Sequence, residues 1–420
     1  MTYTNTLQKT KLIMGLLFLG NLFSALDRFV INYGIVAISS DLQLNASASG
    51  LIISTFFLGY AIMQIPGGWL TDKYGAKIVL FLSVLGFSIF TGLTGLSWSL
   101  ASLLAIRFIF GLLEGSFFPA GAKTIGLYIK KEKRSRAMSV FLSALTVAGL
   151  IAPVLATTIM VNIGWRYLFI LLGVCGLSVA ALYWFLFKPK EELLELRNRS
   201  NINKVVNKQN APLKQLFKNP VIWSLMAASF AYGFVSWGLS SWMPTYLVKE
   251  RGMDLVSLGL VSIIPAVTSI GFFLLAGVML DKVKQGYEKW IGAGSGIGLA
   301  ILVFLMFRAD TITGVIICQA IIPVFAACLS TIIFSLPLKL LPQEIGGSAT
   351  GVINLGTQIA GFVAPLTLGI MIDVFKSYES VAWLLATFGV VCFIAFLTLN
   401  TAKPYKRLAD ETAKKEPVSI

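Results

Sequence analysis

Asp27 and Arg28 sit side by side inside the first long apolar run of this chain, and Arg107 and Glu114 interrupt the fourth. No other run carries a charge deep inside it. An ion near the middle of a bilayer costs about 2.5–3.5 kcal/mol even on the lenient insertion scale, and such residues are functional by default. Two guanidiniums and two carboxyls in hydrocarbon suit a particular chemistry: arginine forks receive a carboxylate, and buried acids take up and release a proton. Enzymatic alternatives find little support. There is no histidine anywhere, which removes imidazole bases and ligands, and no Cys/Asp cluster has metal spacing. From Gly115 to Thr124 the chain comes nearest to a phosphate cradle, but five residues rather than four separate its glycines and Ala122 precedes Lys123. An ATP-driven pump or kinase is therefore discarded.

The charges fall on defined faces. Asn21, Ser24, Arg28 and Asn32 are spaced three, four and four apart, so they share one side of a helix. A polar stripe in an apolar helix must face a partner or a wet cavity, because lipid offers no hydrogen bonds. Arg107 and Glu114, seven apart, also share a face but are separated by about 10.5 Å of helix rise, too far for a tight pair within the helix. Arg28 and Arg107 lie at comparable depth, each about 24 Å from the lysine (Lys11 or Lys123) at its cytoplasmic span end. They can present two forks to one carboxylate, or each can pin a pair of helices by binding an acid. Burial favours the neutral form of Glu114 and a nearby arginine favours the ionised form. Glu114 is thus the candidate proton carrier, with Asp27 a second carrier or an orienter of arginine; a permanently ionised packing role is the bland alternative. Lys123 reads as snorkelling to the cytoplasmic interface. The second half has only neutral candidates. Tyr232, Ser236 and Ser240 recur every fourth residue beside Trp237, and Asn354 and Gln358 stand four apart. These could grip hydroxyls or simply pack helices.

The elements that carry these residues are long and apolar. The chain of 420 residues is 56% hydrophobic and 13% charged, whereas soluble proteins have about a quarter of their residues charged. A span needs about 20 apolar residues. Twelve such runs lie near 12–38, 49–70, 78–96, 98–123, 137–160, 165–187, 221–247, 256–280, 289–307, 311–338, 345–372 and 379–401. The ten-residue alternation of a membrane β-barrel is absent. The fold class expected is therefore an all-α membrane protein of twelve transmembrane helices. Of the 34 lysines and arginines, only Arg166, Lys249, Arg251, Arg308 and Lys376 fall in the loops opposite the termini. The positive-inside rule places both termini in the cytoplasm of a multi-pass cell (inner) membrane protein. It also accounts for the net charge of +15 without a nucleic-acid partner. Trp69, Trp98, Trp165, Trp184, Trp223, Trp242, Trp290 and Trp383 fall near span ends, as interfacial rings do, while Trp237 lies well inside. Cys175, Cys318, Cys328 and Cys392 read as buried small hydrophobes.

A polar stretch, 188–219, divides the spans six and six. The expected organisation is a bundle at 1–187, a cytoplasmic linker at 188–219 with a surface helix over 191–199, a second bundle at 220–402 and a cytoplasmic tail at 403–420. The halves echo each other: Gly68-x-x-x-Asp72-Lys73-x-Gly75 follows span 2 and Gly277-x-x-x-Asp281-Lys282 follows span 8. In these loops the glycine would allow close helix approach, while Asp and Lys would cap or latch neighbours. Parallel six-span repeats with a site between them are a recurrent transporter plan. Glycines 346, 347, 351, 356 and 361 with Pro365 make span 11 a close-packed or bending helix. Pro119, Pro153, Pro244, Pro265 and Pro323 are expected to break or bend theirs.

Over nearly its whole length the chain resembles the major facilitator superfamily, and within it the anion:cation symporter family. The resemblance rests on Leu26-Asp27-Arg28, on Gly59-Tyr60 through Gln64 to Gly67-Gly68-Trp69, and on Arg107-x-x-x-Gly111-Leu112-x-Glu114-Gly115 with Phe118-Pro119-Ala120 and Arg134-Ser135-Arg136-Ala137. It implies a major facilitator fold of two six-helix bundles and symport of an organic anion such as a sugar acid. The coupling ion would be a proton, or alternatively sodium, with no cofactor, and the carrier a monomer. Arg28, Arg107 and Tyr60, with Asn32, Gln64, Tyr232, Trp237, Asn354 and Gln358, form the candidate binding set; Glu114 and Asp27 are the candidate coupling acids. Gly68, Asp72, Lys73, Gly75 and Asp281 are the conformational loop residues. Ala122 stands where the animal branch has histidine, Leu145-Thr146 where some sugar-acid permeases have glutamine, and Gln358 where asparagine is common. These departures leave the particular anion open, and export of an organic anion, polycarboxylate metabolite or siderophore is the alternative direction. A channel or receptor is not excluded by composition, but the repeated halves favour alternating access.

Overall fold

A backbone that crosses hydrocarbon must satisfy its own hydrogen bonds, and this chain does so with helices. The structure, a computed structural model, describes residues 2–129, 133–187, 220–284, 286–340 and 343–399, and no strand occurs among them. In order the helices are α1 (Thr2–Asp41), α2 (Ala46–Tyr74), α3 (Ala76–Gly95), α4 (Leu100–Gly115), α5 (Phe117–Tyr128), α6 (Arg134–Ile163) and α7 (Trp165–Leu186). Then follow α8 (Pro220–Lys249), α9 (Leu255–Val261), α10 (Ile263–Asp281), α11 (Glu288–Arg308), α12 (Ile312–Leu340), α13 (Gln343–Phe375) and α14 (Tyr378–Leu397). They supply 12 segments long and apolar enough to cross a membrane, two of them composite: α4 with α5 (Leu100–Tyr128) and α9 with α10 (Leu255–Leu280). The expected linker, its surface helix and the 403–420 tail lie outside the described residues, as does the side chain of Asp281.

The two composite spans break for one reason. Pro119 follows Ser116 by three residues, and Pro265 follows Ser262 by three. A proline ring collides with the carbonyl four residues back and offers no N–H, so regular bonding ends at Gly115 and Val261. Pro153, Pro244 and Pro323 lie within unbroken helices. Between α2 and α3 the chain turns on Gly75, whose φ of 90° only glycine adopts freely.

Packing groups the residues into two compact units. Of the described residues, the first holds those within 2–187, Gly238–Val267 and Gly361–Tyr378; the second holds those within 220–237, Thr268–Ala360 and 379–399. Three helices, α8, α10 and α13, therefore contribute to both, and α14 belongs to the second apart from its first residue, Tyr378.

Within the first unit α2 and α4 approach backbone to backbone. A Cβ at Gly111 would stand 2.2 Å from the Phe56 carbonyl oxygen, and one at Gly59 would stand 2.3 Å from that of Phe108. This crossing brings Tyr60 beside the Arg107–Glu114 stretch. The last part of α13 packs equally closely on the start of α2, where a Cβ at Gly50 would stand 2.2 Å from the Pro365 oxygen. There Leu366 N–H donates to Ser54 Oγ at 3.1 Å, and the Asp373 carboxylate accepts from Ala46 N–H (3.1 Å) and Ser47 N–H (2.7 Å), capping α2. In the second unit the first part of α8 meets α13 and α14. Ser229 and Thr357 hydroxyls lie 2.7 Å apart, and the Phe234 and Phe388 rings stack with centroids 3.8 Å apart.

Several expectations need correction. A Cβ at Gly68, Gly277 or Gly351 would meet nothing within 4 Å; beside Gly68 the close approach falls on Gly67, packed against Ser116, and in α13 it falls on Gly356 and Gly361. Trp165, at the first position of α7, and Trp242 are buried in the protein, and Trp242 Nε1 donates to the Pro365 oxygen at 3.0 Å. Only Cys392 is a buried cysteine; Cys175 is exposed and the other two are half-buried.

Candidate functional site

Neighbouring residues on a helix point about 100° apart, so Asp27 and Arg28 address different partners. Asp27 Oδ2 accepts from Arg107 Nη1 at 2.5 Å, and Arg28 Nη2 donates to Glu114 Oε1. α1 and α4 are thus joined by two crossed ion pairs. Glu114 Oε1 also accepts from Ser24 Oγ at 2.7 Å, one turn along α1 from Arg28. The rest of the α1 stripe is partnered as well: Asn21 Nδ2 donates to the Phe141 oxygen of α6 (2.6 Å) and Asn32 Nδ2 to Ser240 Oγ of α8 (3.2 Å).

Of the two arrangements open to the guanidiniums, the structure shows an acid of the protein itself against each, and the two differ in access. Arg107 and Asp27 are 1% and 2% exposed, and Glu114 is 1% exposed, but 13% of the Arg28 side chain remains accessible. Aromatic rings wall both cations. The Arg28 guanidinium lies 5.2 Å from the Phe56 ring centroid and 5.0 Å from that of Tyr60, while Arg107 lies between Phe110 (5.4 Å) and Phe169 (5.7 Å). Ring faces attract such cations and keep water away. Phe56, absent from the candidate set, could have been found from its spacing: it stands one turn before Tyr60. Gln64, one turn beyond Tyr60, is half-buried.

The four charges sum to zero, yet their valences are not filled. Asp27 Oδ1, Arg28 Nε, Asn32 Oδ1, Arg107 Nε and Nη2, and Glu114 Oε2 are buried with no protein partner. Buried polar atoms are nearly always hydrogen-bonded. So many open valences around one cluster mark a place suited to further polar groups.

The candidates of the second half lie in the second unit. Tyr232 is half-buried. Trp237, Asn354 and Gln358 are half-buried, and Gln358 Oε1 is a buried atom with no protein partner. Among the described residues the only buried charge in this unit is Glu288, which accepts from Gly286 N–H at 2.7 Å at the start of α11.

The loop motif has a partner that sequence reasoning missed. Lys123 Nζ donates to Asp72 Oδ1 (2.5 Å) and to the Thr71 oxygen (3.3 Å), tying α5 to the end of α2. Lys73 lies over the Trp69 and Tyr74 rings at 4.9 and 5.1 Å. Arg134 closes α5 from the other direction, donating to the Ile129 oxygen at 3.1 Å and the Gly126 oxygen at 2.5 Å.

Comparison with known proteins agrees with this architecture. The probable sulfoacetate transporter SauU of Cupriavidus necator is 30% identical, with 88% of each chain covered. The hexuronate transporter of Bacillus subtilis is 28% identical over 96% of this chain and 97% of its own. The probable galactarate/D-glucarate transporter GarP of Escherichia coli is 27% identical over 92% and 93%. Among solved structures, the D-xylose-proton symporter superposes with a TM-score of 0.75 at 18% identity, covering 94% of this chain and 98% of that one. A bacterial homolog of the lysosomal transporter Spinster, inward-facing and occupied, gives 0.73 at 17%, with 95% and 96% covered. The sequence profile of the Major Facilitator Superfamily matches residues 17–365. With twelve apolar helices and a charged cluster buried among the first of them, this chain belongs to the Major Facilitator Superfamily, as a multi-pass membrane transporter and not an enzyme.

Proposed function

We propose that this protein imports an organic anion, a sugar acid or similar carboxylate, by proton-coupled symport with alternating access. Transporters named for sugar acids and for sulfoacetate among its relatives support the cargo class. The observation that carries the coupling is the Arg28–Glu114 pair: the one partly accessible guanidinium of the cluster is held by an acid that has a second, unpartnered oxygen.

Charge accounting gives the mechanism. With Glu114 ionised the cluster is neutral and Arg28 is occupied. A proton on Glu114 releases the guanidinium, which then receives the carboxylate of the cargo as a two-pronged hydrogen-bonded pair; the cluster with proton and anion is again neutral. A proton without an anion, or an anion without a proton, leaves one unbalanced charge in hydrocarbon. That costs several kcal/mol, so both uncoupled states are rare and the two ligands move together. Asp27 holds Arg107 in place, and Tyr60 and Phe56 hold Arg28 against the site. Arg107, Asn32 and Gln64, all in the first unit, are assigned to the hydroxyl and apolar faces of the cargo.

Proteoliposomes containing the purified protein test this. An inward proton gradient should drive accumulation of labelled hexuronate or hexonate, and unlabelled anion inside should accelerate uptake by counterflow. Uptake that is linear in concentration and indifferent to the gradient would refute it.

A further inference from the structure

We infer that the site takes a hydroxylated organic monoanion and discriminates against dianions of the same length. This rests on the anion–proton reading above. Alternating access encloses the whole cargo within the hydrocarbon slab, so every charge it carries must be balanced there. Among the described residues the spans hold few cations. Lys123 is engaged with Asp72 at the end of its span. Arg107 is neutralised by Asp27, 1% exposed, and flanked by two phenyl rings. Among its described residues the second unit contributes no buried cation. Arg28 alone can be released, and a single proton on Glu114 releases it. One free positive charge balances one negative charge.

What the cluster offers beyond that charge is neutral. Arg107 Nε and Nη2 are donors without a protein partner, and Asp27 Oδ1 and Asn32 Oδ1 are acceptors without one. The Asp27–Arg107 pair has no net charge, so these atoms suit hydroxyl groups, which donate and accept, better than a second carboxylate, which only accepts and brings its own charge. A polyhydroxy chain with one terminal carboxylate, an aldonate or uronate, fits that set.

Galactonate and galactarate make a matched test, since they share carbon chain and stereochemistry and differ in one terminal group. Calorimetric titration of the purified full-length protein near neutral pH should give a dissociation constant for galactonate roughly a hundredfold below that for galactarate, the scale of one uncompensated buried charge. Sulfoacetate and 2-hydroxyethanesulfonate, a dianion and its monoanionic counterpart, should rank the same way if either binds. An Asp27→Asn variant leaves Arg107 charged and should shift the galactonate-to-galactarate ratio toward galactarate. If that variant fails to fold, the ligand comparison on the parent protein still decides. Galactarate binding as tightly as galactonate would overturn the single-charge inference and leave anion transport standing. No binding by any sugar acid, hexuronate or sulfonate would overturn the anion reading itself, and this inference with it.

Discussion

Replacing Glu114 with glutamine tests the proposed coupling at the residue assigned to carry the proton. On the proposed mechanism cargo binds only the fraction of molecules whose Glu114 is protonated, and apparent affinity scales with that fraction. Above the titration point of Glu114, apparent affinity should therefore fall about tenfold for each unit of rising pH. The sign follows from the proposed order of events: a proton on Glu114 would free Arg28, so acid should tighten binding. Glutamine keeps the carbonyl that accepts from Arg28 Nη2 and Ser24 Oγ but carries neither charge nor proton. Binding by Glu114→Gln should be as tight as that of the fully protonated parent, and flat with pH. Without cargo, the variant leaves Arg28 unbalanced. Breaking a buried pair costs about 3–5 kcal/mol, and the retained hydrogen bonds and the 13% exposure of Arg28 reduce that to about 1–3 kcal/mol. The melting temperature should fall, and cargo should restore more of it than in the parent because the anion now supplies the missing charge. Titration across pH 5.5–8.5, with thermal melts with and without anion, measures all of this. A variant whose affinity still falls tenfold per pH unit would refute Glu114 as the coupled group.

Two other substitutions separate close packing from surface charge. Gly111→Val would place its Cβ about where the Phe56 carbonyl oxygen is contacted at 2.2 Å, forcing α2 off α4 and Tyr60 off Arg28; a loss of about 1–3 kcal/mol and weaker anion binding should follow in thermal melts and titration. Lys123→Ala removes an ion pair whose side chains are 34% and 69% exposed, so stability should change by less than about 1 kcal/mol, and a large drop in melting temperature would show that the tie to Asp72 bears more of the fold than its exposure implies.

Twelve spans, their apolar character and the four intramembrane charges were legible residue by residue, because cost in hydrocarbon is set by each side chain and its depth. The breaks in the composite spans were half legible: Pro119 and Pro265 were both singled out, but Pro153 and Pro244 carry the same local signal inside unbroken helices. A proline's effect depends on whether neighbouring helices hold the turn before it, which spacing does not encode. The same limit applies to glycine. Gly67 and Gly68 are adjacent and chemically equal, yet only Gly67 meets another helix, since a rotation of about 100° per residue decides which of them faces inward. Asp373 gave no signal as a cap, because its partner, the start of α2, lies over 300 residues away in sequence.

The chain by itself determined that two arginines and two acids must be balanced inside a membrane, and that a polar stripe on α1 needs partners. Tertiary structure alone decided who balances whom. Arg107 cannot reach Glu114 along its own helix, and the crossing of α1 with α4 instead matches it to Asp27 and gives Glu114 to Arg28. Periodicity fixes the face on which a side chain emerges; the glycine-lined contacts between helices fix the angle and depth at which that face meets another. In a low-dielectric interior that meeting determines which acid balances which arginine and which of the two pairs keeps some access.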